Sequence, residues 1–260
     1  MTYSAEQWSH IWSSLDTWNF TILVAGVFPV AGYLLFHGLK AESSHGDKYR
    51  KIRTYGLVIL SEWALVAALI WLIHRHGLKI DFLGQNAGDS RLTLIVTFVF
   101  LVIIGFMAYF NVRQLRQEKP EQLEAELGPI KSILPENSAE SFVFILVAFT
   151  AGICEELLYR GWLQNLIAYG TGSIWIGLLL AGVIFASGHA YQGSKGIIQT
   201  GISGLILGGV FIFTRGLVAG EILHTSLDAV NGIVGCYALS VLKSRTKKFG
   251  VETLIDRTLG

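Results

Sequence analysis

Long apolar runs alternate with short polar stretches over most of the chain. A membrane-crossing helix needs about 20 predominantly apolar residues. Seven segments meet that pattern: 20–39, 55–74, 92–110, 142–166, 174–190, 197–214 and 217–242. The pattern therefore predicts an all-α, polytopic transmembrane bundle of about seven spans, with six to eight allowed by merging or splitting neighbours. Ahead of the first run, residues 3–17 read as an interfacial helix. Trp8, Ile11, Trp12 and Leu15 share one face, with Glu6, Gln7, Ser13 and Ser14 elsewhere. Gly204 and Gly208 in the sixth run have small-xxx-small spacing, a pattern too common by chance to carry weight alone.

Composition supports this reading. Of 260 residues, 52% are apolar and only 15% charged, where a soluble domain carries about 25% charged. The basic residues sit in loops. Lys40, Lys48, Arg50, Lys51 and Arg53 follow the first run. Arg113, Arg116, Lys119 and Lys131 follow the third, Lys195 the fifth, and Lys243, Arg245, Lys247, Lys248 and Arg257 the last. The opposite side holds only Arg75, Lys79, Arg91 and Arg215. The positive-inside rule then places the N-terminus outside and the C-terminus in the cytoplasm. The size of the chain fits a bacterial plasma membrane as the expected host. A net charge of +1 with no basic stripe implies no nucleic-acid partner. Cys154 and Cys236 lie in apolar runs and read as small buried hydrophobes.

The chain divides into 1–141, N-terminal membrane helices and a cytoplasmic connector; 142–242, a membrane core carrying the chemistry; and 243–260, a basic cytoplasmic tail. Within the connector, Pro120–Leu127 could start a short surface helix, but on sequence alone a solvated connector is the favoured reading.

Ionisable residues inside apolar runs are costly and mark candidate sites. Glu155 and Glu156 fall near the centre of the fourth run. Arg160, one turn after Glu156, can pair with it. Glu155 points about 100° away around the helix, free to act as a base. His189 ends the fifth run behind Ala186, Ser187 and Gly188. His224 and Asp228 share a face of the seventh. Taken singly, each has an ordinary structural explanation: an ion pair locking helices, an interfacial histidine, an interhelical hydrogen bond. Glu221 reads as interfacial. Glu62 stands alone in the second run and is assigned no role. Together, a glutamate and an imidazole could activate one water, with a second imidazole at an oxyanion. Alternatively, Glu155, His189 and His224 could ligate a divalent metal such as zinc. The spacing leaves both open.

EELLYR at 155–160, FASGH at 185–189 and HTSLD at 224–228 match, in order, the EExxxR, FxxxH and His-xxx-Asn/Asp motifs of the CAAX prenyl protease-like family, also called the CPBP or Abi family of intramembrane proteases. The resemblance covers roughly residues 140–235. It implies an α-helical intramembrane endopeptidase acting on a membrane-associated peptide or protein, lipidated in some members. By that resemblance Glu155 activates water with help from His189, Glu156 and Arg160 form the tuning pair, and His224 and Asp228 bind the oxyanion or help hold a metal. Asp228 stands where Asn also occurs; an Asp donates a hydrogen bond only when protonated. The competing classes are an ion- or proton-coupled transporter and a non-catalytic immunity or scaffold protein. The absence of an internal repeat argues against the transporter.

Straight helices would leave Glu155 mid-membrane, His189 toward the cytoplasm and His224 toward the other face. The motif helices are therefore expected to be tilted or broken, with Gly188, Gly193 and Gly216 as the places.

Overall fold

The computed structural model describes the backbone of residues 5–41 and 49–259, and the side chains of 6–37 and 49–246. Lys48 and the first residues of the expected N-terminal helix lie outside the described residues, as do the side chains of Lys40, Lys247, Lys248 and Arg257.

The described chain is helical: α1 (Ala5–Trp12), α2 (Leu15–Ile22), α3 (Phe28–Ala41), α4 (Arg50–Arg75), α5 (Ser90–Leu115), α6 (Pro120–Leu127), α7 (Ser138–Glu155), α8 (Asn165–Thr171), α9 (Ile174–Gly188), α10 (Gly193–Thr214) and α11 (Val218–Leu259). Wider π-helical turns join α2 to α3 at Leu23–Val27 and α7 to α8 at Glu156–Gln164. Among the described residues, six helical stretches are long and apolar enough to cross a membrane: Leu15–His37, Arg50–Arg75, Ser90–Leu115, Ser138–Thr171, Ala190–Thr214 and Val218–Thr246. This is the fold of a multi-pass integral membrane protein.

The fifth expected run, 174–190, forms α9, which has only 15 residues. At 1.5 Å per residue it is about 22 Å long, short of the ~30 Å hydrocarbon core. It still carries the chain back through the bundle. Arg160 reaches Gly204 and Gln164 reaches Gly208, so the π-helical segment and α10 run parallel. The chain must reverse between them, and α9 packs against α10 in the opposite direction, Gly182 beside Leu205 and Ala186 beside Gly201.

Two expectations about the surface elements change. The helix expected over 3–17 breaks at Ser14, whose extended backbone (φ −82°, ψ 132°) separates α1 from α2. Trp8 and Ile11 are buried, with Trp8 against Phe82 and Tyr169, while Leu15 beyond the break is exposed. The apolar face of α1 thus serves the protein core. The connector favoured for Pro120–Leu127 is instead helix α6. Its Leu123 and Leu127 pack with Leu115, Leu134, Ala238 and Leu242. Proline at its first turn loses no hydrogen bond there, and burial of two leucines holds it.

The end of the bundle where α10 meets α11 is covered by the segment after α4. Leu217 N–H donates to the Gly84 carbonyl at 2.9 Å and Asp89 N–H to the Thr214 carbonyl at 2.8 Å. Gly88 (φ 58°) sits so close to Thr214 that a Cβ would fall 1.9 Å from its carbonyl oxygen. Phe82 and Leu83 are fully buried beneath.

Candidate active site

Glu155 ends the α-helical part of α7, and the π-helical turn begins at Glu156. Single π turns recur at functional sites because they re-aim side chains within a helix. The Asn165 side-chain amide donates to the Gly161 carbonyl at 3.0 Å, helping to satisfy the altered backbone. Gly161 lies where a Cβ would come 2.8 Å from the Leu83 carbonyl oxygen.

Glu156 is fully buried (0% exposed) and pairs with Arg160, Oε1 to Nη1 2.8 Å. The same oxygen lies 2.8 Å from Nδ1 of His224. An ionised carboxylate only accepts, so Nδ1 carries the proton and the ring orientation is set. The other face of the imidazole meets the first carboxylate: His224 Nε2 is 3.5 Å from Glu155 Oε2 and 3.7 Å from Asp228 Oδ2. Glu155 Oε2 has no hydrogen-bond partner although it is buried. Asp228 is more open, with its side chain 36% exposed.

Two adjacent glutamates thus have different surroundings, as their angular separation predicts. Glu156 is locked between Arg160 and His224. Glu155 carries no short bond and can reach a reactant. Arg160 is fixed further: Nη2 donates to the Gly204 carbonyl at 3.2 Å, and its guanidinium lies 4.4 Å from the centre of the Phe185 ring.

His189 follows the last residue of α9. Its Nδ1 is 3.0 Å from the Phe185 carbonyl, which only accepts, so Nδ1–H donates and Nε2 is left free. The ring lies within electrostatic range of Asp228. The early stop of α9 brings it into place. Stepping from α9 to α10 through Ala186 and Gly201, then to the π-helical turn through Gly204 and Arg160, puts His189 about level with Glu155. The expected helix breaks occur where glycine allows them. Gly188 ends α9, Gly193 (φ 79°) opens α10, and Gly216 lies between α10 and α11.

Among the described residues, no group of three or more His, Cys, Asp or Glu side chains is arranged to hold a metal ion. Glu155, His189 and His224 do not form the three-ligand set that the sequence left open, so no metal-dependent step is derived from them.

Four residues take a part around the site that the sequence reading does not assign them. Phe185 stands between the motifs, its ring centre 5.0 Å from Tyr159, 4.9 Å from His189 and 5.8 Å from His224. Its position four residues before His189 was the available signal. Gly204 and Gly208, given little weight, let α10 approach closely enough for their carbonyls to accept from Arg160 and Gln164. Glu62 was left without a role, yet it is buried within electrostatic range of Glu155 and Asp228.

Residues 137–230 match the family model described as Type II CAAX prenyl endopeptidase Rce1-like. The match spans all three motifs and agrees with the resemblance drawn from them. No curated protein and no solved structure matches the chain.

Proposed function

We propose that the protein is an intramembrane endopeptidase that hydrolyses a peptide bond in a membrane-associated substrate, with Glu155 as the base that activates water. The observation that carries this reading is the division of labour between the two glutamates. Glu156 is fixed through its Oε1 by Arg160 and His224, both at 2.8 Å, with its Oε2 buried and unpartnered, while Glu155 keeps a looser 3.5 Å approach to His224 Nε2 and is held by no ion pair of its own with Arg160.

Glu155 takes one proton from water as the water oxygen bonds to the peptide carbonyl carbon. The carbonyl π electrons move onto its oxygen. His224 faces that oxygen; in this role its ring carries a proton on both nitrogens, giving Nδ1–H to Glu156 and Nε2–H to the oxyanion. Asp228 supplies a counter-charge beside Nε2. His189, with Nδ1 tied to Phe185, assists through Nε2. The intermediate then collapses. The C–N bond breaks, its electrons pass to nitrogen, and Glu155 returns the proton to the leaving amine.

The predominantly apolar spanning helices support a substrate that reaches the site from the bilayer, as a lipidated or membrane-inserted peptide. The basic loops support an N-terminus outside and a cytoplasmic C-terminus.

The test is cleavage of a quenched-fluorescent, membrane-associated peptide by purified protein in liposomes. Wild type should cleave it. Glu155→Gln should lose ~10²–10⁴-fold in kcat, the usual contribution of a general base, while remaining folded. Equal turnover by wild type and Glu155→Gln would overturn the reading.

A further inference from the structure

Glu62 lies outside the family-matched region, in α4, and no part of the reaction scheme above uses it. It is 3% exposed, and its Oε2 is buried with no hydrogen-bond partner. A carboxyl in that condition on a membrane helix is costly, and usually bonds a neighbouring helix or serves a site. The first explanation is already taken by other residues. Trp63 Nε1 donates to Thr150 Oγ1 at 3.3 Å, Tyr55 OH to the Ile133 carbonyl at 2.5 Å, and Lys51 sits 3.7 Å from Glu140. Those contacts hold α4 against α7 and its approach without help from Glu62.

The same contacts set its height in the bundle. Lys51 beside Glu140, Tyr55 beside Phe144 and Trp63 beside Thr150 show α4 and α7 running parallel, so Glu62 lies near the level of Thr150. Glu155 is little more than one turn further along α7. Helical side chains lean toward the N-terminus, which brings its carboxylate back toward that level. α11 runs the other way, Thr225 against Gly152 and Gly232 against Phe144, so Asp228 also lies close to that height. Three helices thus bring Glu62, Glu155 and Asp228 to one layer, and Glu62 is within electrostatic range of both the others.

We propose that Glu62 is a further catalytic residue, whose carboxyl accepts a hydrogen bond from the attacking water on the side away from Glu155. This rests on the peptidase reading and extends it. Water brings two hydrogens to the reaction. Glu155 removes one. Glu62 holds the other, which stays on oxygen and ends in the new carboxyl group. With both hydrogens engaged, a lone pair of the water points at the carbonyl carbon, the alignment an attacking nucleophile needs.

The experiment compares wild type, Glu62→Gln, Glu62→Leu and Glu155→Gln in liposomes, reading kcat, KM and thermal unfolding of each. Glu62→Leu should lower kcat by about 100-fold or more, the loss expected when a reactant is misaligned, with KM little changed. It should melt at or above wild type, because an apolar side chain replaces an unpaired buried carboxyl. Glu62→Gln keeps an acceptor oxygen and should recover most of the rate, falling within about tenfold of wild type. An active wild type with an equally active Glu62→Leu overturns the role of Glu62 and leaves the peptidase reading intact. So does a Glu62→Leu protein that melts far below wild type while each folded molecule keeps its full kcat. Wild type no faster than Glu155→Gln overturns the peptidase reading itself, and the role of Glu62 with it.

Discussion

His224 lies between two sequence-adjacent carboxylates, its Nδ1 2.8 Å from Glu156 and its Nε2 3.5 Å from Glu155. The ring therefore ties the fixed pair to the free base. Removing Arg160 tests this tie. Arg160→Met leaves Glu156 buried with its main counter-charge gone, and stability should fall by about 3–5 kcal/mol. The double change Glu156→Leu with Arg160→Met should regain most of that loss, since no uncompensated charge remains, yet stay inactive because His224 loses its orienting acceptor. Thermal unfolding and peptide cleavage on the three proteins measure both effects.

The contact between α7 and α11 should be equally unforgiving. A Cβ at Gly152 would fall 2.0 Å from Thr225 Oγ1 and 2.7 Å from its backbone nitrogen. Gly152→Ala must push the helices apart next to His224. Overpacking of this kind costs about 1–3 kcal/mol, and kcat should fall with it. Gly105→Ala, where a Cβ meets nothing within 4 Å, is the control and should change neither.

At the ends of the spanning segments, a polar clamp centred on Glu136, which lies before the span that begins at Ser138, joins α4, the approach to α7 and α11. Glu136 pairs with Lys51 at 2.5 Å and with Lys243. Burial alone would raise the Glu136 carboxyl, but the hydrogen bonds and charges of Lys243 and Lys51 outweigh it and hold the group down to about 2. A folded value below the unfolded one means the unfolded chain binds more protons between the two. The stabilisation is therefore complete above about 4.5 and is lost as pH falls toward 2. Glu136→Gln should lower the melting temperature at pH 7 and narrow its gap from wild type as the pH drops below 4.5. Melting curves at several pH values check the sign.

The two cysteines should react differently. Cys154 is fully buried in the core. Cys236 is half-buried and lines a cavity of about 330 Å³ between α7 and α11, with Phe144, Ile145, Gly232 and Ile233. A small membrane-permeant maleimide should label Cys236 in the folded protein and reach Cys154 only after denaturation. Mass spectrometry of wild type and Cys236→Ser distinguishes the two sites.

Much of the membrane fold was legible because apolar length is a local property. Runs of about 20 apolar residues predict spans directly, and six of the seven segments have the required length. The remaining one, 174–190, forms the shorter helix α9: residues 189 and 190 read as its continuation, whereas the helix stops at Gly188. At that stop the His189 ring donates back to the Phe185 carbonyl four residues earlier and the chain turns into α10, details of local backbone geometry that the apolar pattern does not report. The solvated-connector reading of α6 failed for a related reason. Leu123 and Leu127 are buried in a cluster that Ala238 and Leu242, more than 100 residues later, help to cover.

For the site, the sequence alone determined which residue types stand inside the membrane segments and in what spacing: Glu155, Glu156 and Arg160 on one helix, His189 at the end of another, His224 and Asp228 on a third. It also determined that Glu156 could pair with Arg160, because four residues is one helical turn. It could not decide which nitrogen of His224 faces which glutamate, how Gly204 receives Arg160, or that Glu62 belongs in the same layer. Those facts depend on the relative height and direction of helices far apart in the chain. Periodicity fixes which face a side chain occupies on its own helix; only packing decides what that face meets.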